Sequence, residues 1–185
     1  YTVLYDGEGA IEYGFDAVKE PSLSQPGRDL LSVKASNAGI LLRITATDPR
    51  HTGNYLRQIR VIPPGGVCND DPFAYAEDAA ACQARNETYS LFTALEGIGR
   101  FHPLFLRDLR HYRAIRFMDF LRTNTSELVE WVERPRLEHA RWSSRNGAPV
   151  ELALELAAML NADPWINIPA RASDDYVVQF ARLTK

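Results

Sequence analysis

The run Arg-Ala-Ile-Arg-Phe-Met-Asp-Phe-Leu-Arg-Thr-Asn at residues 113–124 leads an apolar strand pattern straight into a dense group of polar side chains. Asp119, Arg122 and Asn124 there offer a carboxylate, a guanidinium and an amide, a set of donors and acceptors that can hold sugar hydroxyls. Asn167 closes a second strand pattern at residues 162–169 and supplies the same chemistry. Trp131, Trp142 and Trp165 add the other ingredient of a carbohydrate site, because an indole can lay its apolar face on a sugar ring and keep a polar edge. Trp165 also fits a core strand position, and Trp131 and Trp142 suit either binding or loop packing within the polar segment 123–147. Arg116 either points into a site beside Asp119 or pairs with it to fix the loop.

Other chemistry has little support. Hydrolysis between two carboxylates needs a proton donor and a nucleophile or base flanking one bond, and Asp119 is the single strand-end acid that stands out. Asp174 and Asp175 read instead as charges at the positive end of a helix. No catalytic residue is assigned. His51, His102, His111 and His139 lack metal-ligand spacing, and no Gly-rich phosphate loop or Ser-centred nucleophile turn occurs, so neither a metal nor a cofactor is expected.

The elements that must position these groups change character along the chain. Up to about residue 47, short apolar runs at residues 2–5, 10–13, 30–33 and 40–46 alternate with turn residues, a pattern of antiparallel strands. After residue 57, strand patterns at 58–65, 114–119 and 162–169 alternate with helical ones. Pro103 opens the first of these helices, Pro149 the second with Val150, Leu154, Ala157 and Ala158 towards the core, and Ser173 caps the third. That rhythm predicts an α/β fold: a small antiparallel β-domain over residues 1–56, then about the first three β/α units of a partial (β/α)8 TIM-type barrel over residues 57–185. A Cys-bracketed insert occupies about residues 66–100. Three parallel strands leave open edges, so the expectation is a piece of a larger protein, covered by more of its own chain or by another subunit.

A formal charge of −3 and a pI near 5.8 offer no basic field for a nucleic acid. No apolar run approaches the roughly 20 residues that cross a bilayer. Cys68 and Cys82 are the two cysteines, and a pair closing a short local loop suits a disulfide in an exported protein. Asn86 and Asn124 each head an N-glycosylation triplet. Together these point to an extracellular location.

Five segments also carry a family resemblance: Ile-Arg-Val-Ile-Pro-Pro-Gly at 59–65, Phe-His-Pro-Leu-Phe-Leu at 101–106, residues 115–124, Ala-Asp-Pro-Trp-Ile-Asn-Ile-Pro at 162–169 and Asp-Asp-Tyr-Val at 174–177. They resemble secreted proteins labelled as cellulose-binding-domain proteins, in which a small β-domain joins a glycoside-hydrolase-like (β/α)8 barrel. The resemblance implies rim or substrate contacts at Arg116, Asp119, Asn124, Trp165 and Asn167. It also implies that the proton donor and nucleophile belong to strands beyond Lys185. Phe120 stands where the pattern has Trp, and Ala170 where it has His. The leading expectation is a carbohydrate-active protein that acts on or binds a β-linked polysaccharide. Its alternative is a non-catalytic glycan-binding or structural protein of a matrix, sheath or fibre, and a third reading is a free-standing α/β domain of unrelated function.

Overall fold

The computed structural model describes residues 1–95, 100–139, 141–142 and 144–185. The chain divides into two compact units, Tyr1–Pro103 and Leu104–Lys185.

The first unit is built from β1 (Thr2–Asp6), β2 (Gly9–Phe15), β3 (Ala17–Lys19), β4 (Arg28–Val33), β5 (Ile40–Thr47) and β6 (Arg57–Ile62). A four-stranded sheet runs in the order β3, β4, β1, β6, and β2 pairs with β5 in a second sheet. All of these ladders are antiparallel. Alternation along the strands sends Val3, Ala17 and Leu31 into one core, against which Tyr5, Tyr13, Val33, Ile40, Leu42 and Ile59 pack. The segment 66–95 adds β7 (Gly66–Cys68), β8 (Tyr75–Ala76), the short helix α1 (Ala79–Gln83) and β9 (Tyr89–Leu91). β7 lies between β8 and β9, antiparallel to both. Cys68 of β7 and Cys82 of α1 form a disulfide that ties the helix to this small sheet, and both are buried. Residues 96–99, the end of the predicted insert, lie outside the described residues.

One buried polar network ties the first unit together. Asp29 is 2% exposed on β4, where it meets the Lys19 ammonium at 2.6 Å and accepts a hydrogen bond from the Tyr13 hydroxyl at 2.8 Å. Burial first, and the Asp29 carboxylate second, push the Tyr13 hydroxyl well above its ordinary pKa of 10.0. The neutral phenol is thus favoured in the folded state. Its stabilisation is complete below about pH 10 and is lost as the pH climbs above that value towards the folded-state pKa. Melting curves should therefore fall steeply above about pH 10, and Tyr13→Phe should flatten that fall while lowering stability at neutral pH by about 1 kcal/mol. An unchanged alkaline slope in Tyr13→Phe would remove Tyr13 from the account.

The second unit holds α2 (Pro103–Leu109, opening at the unit boundary), β10 (Ala114–Arg116), α3 (Val150–Leu160), β11 (Asp163–Trp165) and α4 (Asp174–Leu183). β10 and β11 run parallel, with Ala114 opposite Asp163 and Arg116 opposite Trp165. Pro149 precedes the first turn of α3, where its missing N–H costs nothing. Asn161, left-handed at φ 50°, ends that helix. Ser173 caps α4 by accepting a hydrogen bond from the Tyr176 N–H, and Asp174 and Asp175 occupy its first turn.

These elements overturn the partial TIM-type barrel. The expected first barrel strand, β6, instead joins β1 of the N-terminal sheet in antiparallel register, with Thr2 opposite Ile62 and Val3 opposite Val61. Among the described residues the protein is a small mixed α/β fold of several small antiparallel sheets and four short helices, and β10 with β11 is the one parallel pair of strands. An apolar run bounded by turn residues fits a parallel and an antiparallel strand equally well, which is why the β6 pattern misled. The phase of α3 also differs from expectation. Leu152, Ala153, Leu156 and Leu160 are buried with Val150 and Ala157, whereas Leu154 is half-buried and Ala158 exposed.

Candidate functional site

After β10 the chain coils into a compact series of turns. The Phe117 N–H donates to the Trp165 carbonyl, Leu121 N–H to Phe117 O, and Thr123 N–H to Met118 O. Phe117, Leu121, Thr123, Ser126 and Leu128 are buried, so the alternate residues are turned outward. Asp119, Arg122, Asn124, Thr125 and Glu127 consequently line an open polar cleft of about 580 Å³, completed by Arg145 and Asn146 from a second turn. That turn is fastened to the first by the Ala148 N–H, which donates to Phe120 O at 3.0 Å.

The cleft balances charge: two carboxylates, two guanidiniums and two amides. Arg145 and Glu127 pair loosely at 3.5 Å across its exposed rim. The side chains of Asp119, Arg122 and Asn124 have no polar partner among the described residues, which leaves their donors and acceptors available to a ligand. Two of its backbone positions are strained. Arg122 has φ 48° and Thr125 φ 65°, a region that costs L-residues roughly 1–2 kcal/mol and β-branched ones most. Thr125→Gly should relieve the strain there and stabilise the protein by about 1 kcal/mol in urea unfolding, while altering the cleft lip. A destabilising Thr125→Gly would show that Thr125 makes a contact worth more than its strain.

The structure thus brings together Asp119, Arg122 and Asn124 and disperses the other predicted contacts. Arg116 does not pair with Asp119. Its guanidinium lies over the Trp165 ring at 5.5 Å and reaches the Met118 sulfur at 2.9 Å. Trp165 is 59% exposed, so the core reading of this residue fails and its ring face is open apart from Arg116. Trp142 is also exposed. Trp131 packs edge-on against Tyr176 and Phe180 of α4 with the Arg134 guanidinium over its ring at 4.4 Å, a structural role. Asn167 faces a separate small cavity beside the cleft. Thr125, Glu127, Arg145 and Asn146 were missed by sequence reasoning. Asn146-Gly147 is a turn dipeptide by its residue types alone, but those types do not state its approach to residues 119–127.

Of the two glycosylation triplets, Asn86 is exposed just after α1 and Asn124 lines the cleft. A glycan on Asn124 would fill the cleft, so ligand binding and modification at that residue exclude one another. Among the described residues, no group of three or more His, Cys, Asp or Glu could hold a metal ion, and no helix is long and apolar enough to cross a membrane.

No family model, no curated protein and no solved structure matches this chain.

Proposed function

We propose that the protein is an exported glycan-binding protein that holds the hydroxyls of a β-linked oligosaccharide in the cleft between residues 119–127 and the turn at 145–147. The observation that carries this reading is the convergence of Asp119, Arg122, Asn124 and Asn146 on one open cleft. Alternating donors and acceptors of both charges match the two-way hydrogen bonding of sugar hydroxyls better than they match an anion or a cation. The exposed ring of Trp165 on the same unit adds a stacking surface. The buried disulfide suits the oxidising environment of an exported protein.

Binding is favoured over hydrolysis by the setting of the two cleft acids. Asp119 and Glu127 are both exposed, whereas a general acid at neutral pH needs an apolar or charge-crowded pocket to keep its proton. The glycan chemistry is the part of the family resemblance that this reading retains.

Asp119→Ala separates the site from the scaffold. Loss of a hydrogen bond to a charged group costs about 1.5–3 kcal/mol, so calorimetric titration with β-linked oligosaccharides should show affinity falling roughly 10- to 100-fold. Thermal stability should stay within about 0.5 kcal/mol of wild type. Unchanged titration with a large fall in melting temperature would assign Asp119 to architecture instead.

A further inference from the structure

Behind the cleft lies a cavity of about 20 Å³ lined by Leu121, Thr123, Arg134, Asn146, Asn167 and Tyr176, among others. Two of these residues bury a polar atom that has no hydrogen-bond partner among the described residues: Arg134 at Nε and Asn167 at Oδ1. Another nitrogen of the Arg134 head, Nη1, is engaged: it meets Glu151 at 2.8 Å and donates to the Pro135 carbonyl at 3.0 Å, and the side chain is only 12% exposed. A buried donor and a buried acceptor left unmatched on one cavity are costly together.

We propose that this cavity is a binding site for a single hydroxyl oxygen, which accepts from Arg134 Nε–H and donates to Asn167 Oδ1. Size and chemistry both restrict the occupant. A cavity needs at least about 10–15 Å³ of this kind to admit one water oxygen, so there is room for one such group and little more. An anion would face the Asn167 carbonyl oxygen, and the Arg134 charge that could hold it is already paired with Glu151. A cation would face the guanidinium. An apolar group would leave both atoms unmatched. A hydroxyl accepts and donates at once, and Thr123, whose hydroxyl donates to Met118 O at 3.3 Å, keeps a lone pair that the second hydrogen of a water, though not the single proton of a ligand hydroxyl, can use as a third bond.

The oxygen has two possible sources, water or a hydroxyl of a ligand entering through Asn146, which lines both the cavity and the cleft. The water source stands independently of the glycan reading; the ligand source rests on it. The test is NMR of the free protein, reading transfer between bulk water and the Arg134 Nε–H proton, with a crystal structure near 1.5 Å resolution as the second measurement. Expected are a direct water cross-peak that Asn167→Leu abolishes, and an oxygen about 2.7–3.2 Å from both Nε and Oδ1. Soaking with cellobiose then separates the sources: a sugar hydroxyl at that position identifies the ligand, and a retained water identifies solvent. A missing cross-peak in the wild type, a cross-peak unaffected by Asn167→Leu, or a structure in which the two atoms bond protein groups instead would overturn the proposal. Failure of cellobiose to bind at all would count against the glycan reading alone.

Discussion

Reduction of the Cys68–Cys82 bridge is expected to lower the melting temperature by roughly 6–12 °C. The bridge ties β7 to α1, and the strands of that sheet, β7, β8 and β9, have only three, two and three residues, too few to stand as an independent sheet. Their buried cluster is correspondingly thin, with Cys68, Ala76 and Cys82 at its centre and Ala74 and Tyr89 packed against it. The bridge spans 14 positions, and for a loop of that size chain-entropy bookkeeping gives about 3 kcal/mol. In a chain of this length about 1 kcal/mol shifts the melting temperature by roughly 2–4 °C. Hydrogen exchange should localise the effect: amides of residues 66–91 lose protection, while those of α3 keep theirs. Replacing both cysteines by serine should reproduce the loss. A melting temperature unmoved by reductant would mean that packing of the short strands suffices without the covalent link.

Gly147→Ala is the second large effect, and it reaches the site. Gly147 has φ 81°, and an added Cβ would collide with the backbone of Leu121. Neither wall can retreat easily. Leu121 is buried and its N–H is bonded to Phe117 O at 2.9 Å, while the Gly147 N–H donates to Ser144 O at 3.0 Å. Left-handed strain adds roughly 1–2 kcal/mol and overpacking typically about 1–3 kcal/mol, so urea unfolding should show a loss of roughly 2–5 kcal/mol. Arg145 and Asn146 should be pushed off the cleft, abolishing oligosaccharide binding even at temperatures where the variant remains folded. A near-neutral Gly147→Ala with wild-type affinity would show that the two turns need not meet closely to make the site.

Much of the local structure was legible in the residues. Pro149 before α3, Ser173 capping α4 and the Cys68–Cys82 pair depend on short-range chemistry, which a sequence states directly. The strand positions in the first half followed from apolar alternation between turn residues. What the residues did not state was partnership. Arg-Gln-Ile-Arg-Val-Ile at β6 carries no mark of whether its neighbour is β1 or β10, and the antiparallel pairing with β1 turned an expected barrel strand into the edge of a sheet. The site was half visible for the same reason. Asp119, Arg122 and Asn124 share one turn series and could be read together, whereas Arg145 and Asn146 reach them through a contact between segments more than 20 positions apart. Trp131 and Trp165 exchanged roles with their surroundings, the first enclosed by Arg134, Tyr176 and Phe180, the second left open on β11. Neither outcome is encoded in tryptophan itself.

Titration of isotope-labelled protein with a soluble β-linked oligosaccharide, followed by backbone amide shifts, tests the central claim most directly. The account predicts saturable shifts concentrated at residues 119–127 and 145–147, with the strands of residues 2–62 unaffected. Shifts confined to those N-terminal strands, or a spectrum unchanged by β-linked glucans and other neutral oligosaccharides at millimolar concentration, would contradict it.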